Sequence, residues 1–443
     1  MSDFFDAVPE PIRYAGPESD DLLTFRWYDK DRIVGGKTLS EHLRLAACYW
    51  HSFNWPGNDV FGDGTFDRPW LDTSLDPMDA ARTKMAAAFE FFEKLGVPYF
   101  SFHDHDIAPY GGTFAEESAQ LRQITDEAME HMERTGVKLL WGTARLFHHP
   151  RYMAGAATNP DPEVFARGAA QVANCLDVTS KMGGENYVMW GGREGYETLL
   201  NTDLGRERAQ LGRFMSMVVE HKHKIGFEGT LLIEPKPQEP TKHQYDYDSA
   251  TVHDFLQEYD LLDEIKVNIE VNHATLSGHD FAHEVAVAFA GGIFGSVDAN
   301  RGDDRLGWDT DQFPNSVDAM VPGVYEIIRG GGFQSGGFMF DTKLRRMSID
   351  RTDLFHGHIG GIDVLARAFL VAHSMWEDRA LESLRDERYS GWDSTEGQAI
   401  LRGDRTLDKL RERVAFDNVD PAPVSGSQEA IEALVNRYIE RVA

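Results

Sequence analysis

The segment TLLIE, residues 230–234, is the most informative stretch of this chain, because it is a short apolar run that ends in an acid. The same arrangement recurs three times: the runs Ile265–Ile269, Gly295–Val297 and Gly337–Phe340 are followed by Glu270, Asp298 and Asp341. Each run is typical of a buried β-strand. Unpaired buried carboxylates that converge would repel one another unless cations lay between them. The pattern therefore predicts a metal site at strand ends.

Eight apolar runs of this kind alternate with amphipathic helical stretches along the chain. The spacing of roughly 30 to 50 residues is enough for a helix and two loops between parallel strands. The runs begin near Leu45, Tyr99, Val137, Asn186, Thr230, Lys266, Gly295 and Gly337. Helices are predicted over residues 76–95, 115–135, 161–182, 204–225, 248–264, 279–290 and 316–329. An α/β fold follows, specifically a (β/α)8 TIM barrel. An open doubly wound sheet, the main alternative, would not readily bring seven or eight strand ends around one point.

We expect three regions in the 443 residues: an N-terminal extension over 1–44, a catalytic barrel over 45–349, and a C-terminal helical region over 350–443. The last region lacks further convincing strands, is predicted to pack outside the barrel, and is assigned to the oligomer contact. No segment approaches the roughly 20 apolar residues that span a bilayer, and residues 1–6 lack the features of a secretion signal.

Net charge and cysteine content indicate which classes of partner and which compartment suit this chain. A formal net charge of −29 disfavours nucleic acid and anionic membranes and favours small neutral or cationic partners. Cys48 and Cys175 are the only cysteines, and both stand in apolar contexts, which predicts buried free thiols and a reducing, cytoplasmic compartment.

Almost every predicted strand end carries polar or aromatic residues, at the place where a barrel keeps its chemistry. The further candidates are Trp50-His51, His103 to Asp106, Trp141 to Thr143, Trp190 to Arg193, Lys236, His273, and the pair Asp309 and Asp311. Six carboxylates and one histidine without thiolate suit Mg²⁺, Mn²⁺ or Co²⁺ better than structural Zn²⁺. Trp50 and Trp190 fit barrel-rim packing and the walls of a sugar pocket equally well. His221 to Lys224 is best explained as the cationic last turn of a helix.

Five motifs carry a clear resemblance to a known family. They are His103-Asp104-x-Asp106, Trp141 to Ala144, Glu234 to Pro237, Glu270-x-Asn272-His273-Ala274 and Trp308 to Asp311. Together they resemble the long-chain class of xylose isomerase, over nearly the whole chain. The resemblance implies interconversion of D-xylose and D-xylulose, and more weakly of D-glucose and D-fructose. It also implies two divalent cations per subunit, with no NAD or flavin, and a homotetramer.

The resemblance also assigns the residues. It implies a first metal held by Glu234, Glu270, Asp298 and Asp341, and a second held by Glu270, His273, Asp309 and Asp311, with Glu270 shared. His103, oriented by Asp106, is implied in ring opening, and Lys236 lies near the carbonyl oxygen. The implied substrate-binding residues are Trp50, Trp190, Thr143 and Phe61, and a neighbouring subunit lends Phe61.

The implied reaction is chemically consistent with two cations. A hydride shift between C2 and C1 needs O2 ionised and the carbonyl polarised, and two cations can do both.

The sequence departs from the family pattern at Arg145, where asparagine is usual, at Tyr110, where glutamate is common, and at Met339, where asparagine is usual. Two other classes stay open: a metal-dependent barrel hydrolase or nuclease, and a noncatalytic sugar-binding barrel.

Overall fold

The computed structural model describes residues 4–442. Residues 1–3, which belong to the segment predicted to lack a secretion signal, and residue 443, the end of the predicted C-terminal region, lie outside the described residues. Eight strands form the central sheet: β1 Ala46–Cys48, β2 Tyr99–His103, β3 Lys138–Thr143, β4 Asn186–Trp190, β5 Thr230–Glu234, β6 Ile265–Glu270, β7 Phe294–Asp298 and β8 Phe338–Phe340. Each begins within one residue of its predicted start.

The sheet closes on itself. Each strand pairs in parallel with the next strand in the chain, and β8 pairs with β1, with Met339 opposite Ala46. The predicted (β/α)8 barrel is therefore confirmed, and the open-sheet alternative is wrong. Closure matters for function because it brings all eight carboxyl ends of the strands to one face.

The helices of the barrel are α1 Pro77–Leu95, α2 Phe114–Thr135, α3 Pro162–Lys181, α4 Leu204–Ile225, α5 Ser249–Glu258, α6 Phe281–Ala290 and α7 Val317–Arg329. Local sequence explains their ends: α1 starts with Pro77 after the N-cap Asp76 and stops at Gly96, whose φ of 78° is left-handed. One boundary differs from the prediction by more than two residues, because α5 ends at Glu258 rather than at residue 264. Asp260, with φ of 56°, turns the chain there.

Two apolar layers hold the barrel. Its interior is filled by a small cluster comprising Ala46, Cys48, Tyr99, Leu140, Trp141, Val188, Leu232 and Met339. A much larger cluster lies between the strands and the surrounding helices. Cys48 and Cys175 are both buried and free, as predicted.

The chain after β8 is helical. Helix α8, Asp353–Glu377, packs against α7 and buries most of its apolar side chains. It is long and apolar enough to cross a membrane, but 67% of its most apolar stretch is buried inside the protein, which is typical of a core helix. The helices that follow are α9 Ala380–Tyr389, α10 Thr395–Leu401, α11 Leu407–Asp417 and α12 Gln428–Arg441. Large apolar side chains are exposed here, such as Phe416 in α11 and Val424 in the segment before α12.

Candidate active site

A cavity of about 400 Å³ opens at the carboxyl ends of the strands. Its walls combine acids, basic groups and aromatic rings. Among the predicted residues it is lined by Trp50, His103, Asp106, Thr143, Trp190, Glu234, Lys236, Glu270, His273, Asp309, Asp311 and Asp341. The structure therefore brings together, around one space, side chains from strands far apart in the sequence.

The four strand-end acids form one cluster. Glu234, Glu270, Asp298 and Asp341 each place a carboxylate oxygen so that all four oxygens lie within 4.8 Å of one another. All four residues are buried. Both oxygens of Asp298 lack a hydrogen-bond partner among the described residues, although the residue is 0% exposed. A buried carboxylate of this kind needs a positive partner, so the cluster fits a divalent cation.

The pKa shifts of the clustered acids also favour a cation between them. Burial, followed by repulsion from Asp341, raises the pKa of Glu234 to about 8. Burial and neighbouring carboxylates raise the pKa values of Glu270 and Asp298 well above their usual range. The acids therefore resist full ionisation near neutral pH, and a cation between them would remove that penalty.

A second cluster shares Glu270 with the first. Oxygens of Glu270, Asp309 and Asp311 lie within 4.8 Å of one another. The Nε2 atom of His273 lies 3.1 Å from Oε2 of Glu270 and 3.3 Å from Oδ2 of Asp309. The two predicted ligand sets are thus two neighbouring clusters with one common acid, which is the geometry that a bridged pair of cations requires.

Two basic residues lie among these acids: His51, a predicted strand-end candidate without an assigned role, and Lys343, which was not predicted as part of the site. His51 Nε2 lies 3.1 Å from Oδ2 of Asp311 and 3.2 Å from Oδ1 of Asp341. Burial alone would lower the pKa of His51, but these two carboxylates raise it to about 9. Lys343 Nζ lies 3.0 Å from Oδ2 of Asp311. A sequence signal existed for both: His51 follows Trp50 at a strand end, and Lys343 stands two residues after Asp341.

Three asparagine amides complete the surroundings of the acids. Asn300 Nδ2 donates to Oε1 of Glu270 at 2.8 Å and to the carbonyl of Asp341 at 3.0 Å. Asn268 Nδ2 donates to Oε2 of Glu234 at 3.2 Å, and Asn272 Nδ2 donates to Oδ1 of Asp309. These hydrogen bonds fix the orientation of the carboxylates and leave their remaining lone pairs directed away from the amides. Asn272 stands in one of the five family-like motifs but had no predicted role, and Asn268 and Asn300 have no distinctive spacing that would have predicted theirs.

The pair formed by His103 and Asp106 lies on the wall beside β2. Nδ1 of His103 is 2.6 Å from Oδ2 of Asp106, and the same oxygen accepts the backbone N–H of His103 at 3.1 Å. The short helix Asp104–Ile107, which starts directly after β2, sets this spacing. Arg145 places a guanidinium nitrogen 3.5 Å from the other oxygen of Asp106. Burial would raise the pKa of Asp106, but His103 and then the cations Arg145 and Lys84 hold it well below its usual range.

Aromatic rings form the apolar part of the cavity. The ring of Trp50 lies 4.5 Å from that of His103 and donates its Nε1–H to Oδ1 of Asp341 at 2.8 Å. Trp190 faces Phe147 across the cavity wall, with ring centroids 4.6 Å apart. Both tryptophans line the cavity, and their contact with a sugar stays a prediction. The hydroxyl of Thr143 donates to the carbonyl of Val188 at 2.5 Å.

The remaining conspicuous residues lie elsewhere. Phe61 is 82% exposed and is not part of the cavity wall of its own chain. Tyr110 stacks on His105 with ring centroids 3.8 Å apart, and Met339 is buried in the barrel interior. Of the three departures from the family pattern, Arg145 alone lines the cavity within the described chain.

Comparisons with known proteins agree with this architecture. Residues 89–311 match the family described as "Xylose isomerase-like TIM barrel", and residues 385–439 match the "XylA2 C-terminal domain". The chain is 60% identical over 432 residues to "Xylose isomerase" of Pseudomonas fluorescens (strain Pf0-1), covering 98% of each chain. It is 58% identical over 441 residues to "Xylose isomerase" of Actinobacillus pleuropneumoniae serotype 5b (strain L20), covering 100% of each.

The match to solved structures is more distant. A protein of Rhodospirillum rubrum ATCC 11170 aligns with a TM-score of 0.51 and 13% identity, covering 73% of this chain and 98% of that chain. At this identity the alignment supports the barrel fold alone.

Proposed function

Because the chain belongs to the xylose isomerase family and is an aldose-ketose isomerase, we propose that its substrate pair is D-xylose and D-xylulose. D-Glucose and D-fructose are the weaker pair. The observation that carries the proposal is the sharing of Glu270 between two ligand clusters beside a cavity of about 400 Å³. A pentose fits such a space, and its hydroxyl oxygens can reach the acids' side of the cavity.

Two divalent cations are the proposed cofactors, Mg²⁺ or alternatively Mn²⁺ or Co²⁺, with no nicotinamide or flavin. Glu234, Glu270, Asp298 and Asp341 hold the first ion, and Glu270, His273, Asp309 and Asp311 hold the second. When bound, these ions supply the Lewis acidity that ionises O2 of the sugar and polarises the C1 carbonyl for hydride transfer from C2 to C1. The partnerless oxygens of Asp298 and the raised pKa of Glu234 support this assignment.

His103 and Asp106 are the proposed ring-opening pair. The carboxylate of Asp106, 2.6 Å from Nδ1, fixes the tautomer of the imidazole, so Nε2 is the atom that exchanges a proton with the ring sugar. The depressed pKa of Asp106 keeps this orienting group ionised. The pair therefore acts before the hydride shift, on the cyclic form of the sugar.

Lys236 and the aromatic rings position the open chain. Lys236 is 3% exposed and lines the cavity, and its charged Nζ is the proposed donor to the carbonyl oxygen of the sugar. Trp50 and Trp190 offer flat apolar surfaces to the C–H faces of the sugar, and Thr143 lies at the same wall.

The proposal also covers the regions of the chain, the oligomeric state and the compartment. We assign residues 1–44 to an N-terminal extension, 45–349 to the catalytic barrel and 350–443 to a helical region that contacts other subunits of a homotetramer. The exposure of Phe61, Phe416 and Val424 supports surfaces that a second copy covers. In that assembly Phe61 serves the site of a neighbouring subunit. The proposed compartment is the cytoplasm.

Reconstitution tests the central claim. The protein is stripped with EDTA, supplied separately with Mg²⁺, Mn²⁺ or Co²⁺, and assayed for xylulose from D-xylose without added nicotinamide. We expect no product from stripped protein and restored product with at least one ion. Product formation that ignores EDTA would refute the metal assignment, and absence of product with all three ions would refute the substrate.

A further inference from the structure

A histidine cluster lies at the start of α6, outside the cavity. His279, His283 and Glu284 each offer a ligand atom within 4.8 Å of the others'. The set contains two imidazoles and one acid, in contrast to the oxygen-rich clusters of the cavity. The proposed isomerase chemistry gives these three residues no role.

One half of the cluster is a preformed histidine–carboxylate pair. Nδ1 of His279 lies 2.6 Å from Oε1 of Glu284. The other oxygen of Glu284 accepts the backbone N–H of Ser249 at 2.8 Å, and Glu284 is only 3% exposed. A carboxylate fixed in this way holds the proton on Nδ1 and directs the lone pair of Nε2 outward, as in many metal sites.

The other half of the cluster is the imidazole of His283, which is accessible to a metal ion. The ring centroids of His279 and His283 are 4.3 Å apart. His283 is exposed, and within residues 4–442 its ring makes no hydrogen bond or ion pair. Solvent water can therefore complete the coordination of an ion held by both rings. Asp248, with a carboxylate oxygen 4.0 Å from Nδ1 of His279, adds negative charge nearby.

We propose that His279 and His283, with Glu284 orienting His279, form a binding site for a first-row transition-metal ion such as Ni²⁺, Zn²⁺ or Cu²⁺. Imidazole nitrogen favours these ions, whereas the carboxylates of the cavity suit Mg²⁺ and Mn²⁺. The protein thus carries two classes of metal site that differ in ion preference. An ion here also links the loop that follows the short helix Val271–Leu276, which carries His273, to the first turn of α6.

Crystallography with Ni²⁺ tests the site by position. Crystals of the enzyme grown in excess Mg²⁺ are soaked in NiCl₂, and anomalous difference maps are measured at the nickel edge. We expect a peak between the rings of His279 and His283, distinct from any peak at the carboxylate clusters. A soaked crystal with no peak at these rings would overturn the proposal, whatever the cavity contains.

Solution measurements use matched variants. Equilibrium dialysis of the Mg²⁺-saturated enzyme counts bound Ni²⁺ per chain, and His283→Ala is expected to lose one equivalent. His223→Ala is the control. His223 is also exposed and lies 2.9 Å from a carboxylate of Glu264, but within residues 4–442 it belongs to no metal-ligand group with a second imidazole. Glu284→Gln should weaken Ni²⁺ binding about 10- to 100-fold. Equal Ni²⁺ binding by wild type and His283→Ala would contradict the proposal, and this result is independent of xylose turnover.

Discussion

Nζ of Lys236 lies 2.5 Å from Oδ2 of Asp309, so the lysine proposed for the sugar carbonyl forms an ion pair with an acid proposed to hold a metal. Lys236 is almost fully buried, and burial alone would lower its pKa. The carboxylates of Asp309 and Glu270 instead raise that pKa well above its usual range, so the amine stays charged. A cation bound as proposed would compete with this ammonium for Asp309 and would leave Lys236 available to the substrate.

Replacing Lys236 separates metal binding from catalysis. In Lys236→Met we expect kcat to fall about 10²- to 10³-fold, as for loss of one donor to a developing oxyanion. Mg²⁺ should bind at least as tightly, because a positive charge has left the site. Kinetics and calorimetric titration check the two effects, with exposed Lys242→Met as the control; weaker Mg²⁺ binding with unchanged kcat would contradict the assignment.

Asp298 should connect metal binding to stability. Each ion that binds only the native state stabilises the wild type by about 2.7 kcal/mol at a hundredfold excess over its Kd. Asp298→Asn removes the acid whose two oxygens lack partners, so its melting temperature should respond far less to the same Mg²⁺ concentration. Exposed Asp304→Asn should keep the wild-type response. An undiminished response in Asp298→Asn would remove this residue from the ligand set.

His103→Ala should slow the conversion of cyclic sugars more than that of sugars that cannot close a ring. We expect kcat/KM for D-xylose to drop about 10²- to 10⁴-fold, the usual contribution of a general acid–base. A three-carbon aldose, too short to close a ring, should lose much less. His105→Ala is the control, because that ring stacks on Tyr110 and does not line the cavity. Equal losses on both substrates would place His103 outside ring opening.

Arg145 should influence which aldose fits. Its side chain lines the cavity, and Arg145→Asn shortens the side chain and adds room. The ratio of kcat/KM for D-glucose to that for D-xylose should rise about tenfold, the scale of one or two methylene groups in a pocket. Arg151→Asn, whose guanidinium bonds to His149 away from the cavity wall, should leave the ratio unchanged. A constant ratio in Arg145→Asn would exclude a role in selectivity.

His358 should make the fold acid-sensitive. The ring is fully buried beside Phe91 and Phe313, and burial lowers its pKa from 6.5 to about 4. The unfolded chain therefore binds a proton that the native state resists, and stability is lost as pH falls from 6.5 toward 4. The loss reaches roughly 3 kcal/mol. Urea unfolding should show that His358→Phe has a smaller loss over this interval; parallel pH profiles would refute the effect.

The sequence predicted the fold well because its signals are local and repeated. Each strand from β1 to β8 is a short apolar run, and each long helix of the barrel has its own caps, so the alternation is visible without tertiary information. The end of α5 was missed although Asp260 belongs to a residue type that tolerates the left-handed turn found there.

The sequence by itself determined that Glu234, Glu270, Asp298 and Asp341 would meet, since closing parallel strands carries their ends to one face. Only the tertiary structure decided what meets them there. The positions of His51 and Lys343 among the acids depend on side-chain directions in the segments beyond the strand ends. The pairing of His279 with Glu284 likewise depends on how the start of α6 packs. Strand periodicity fixes the backbone of a barrel, but loop geometry fixes which charges lie within 3 to 4 Å of one another.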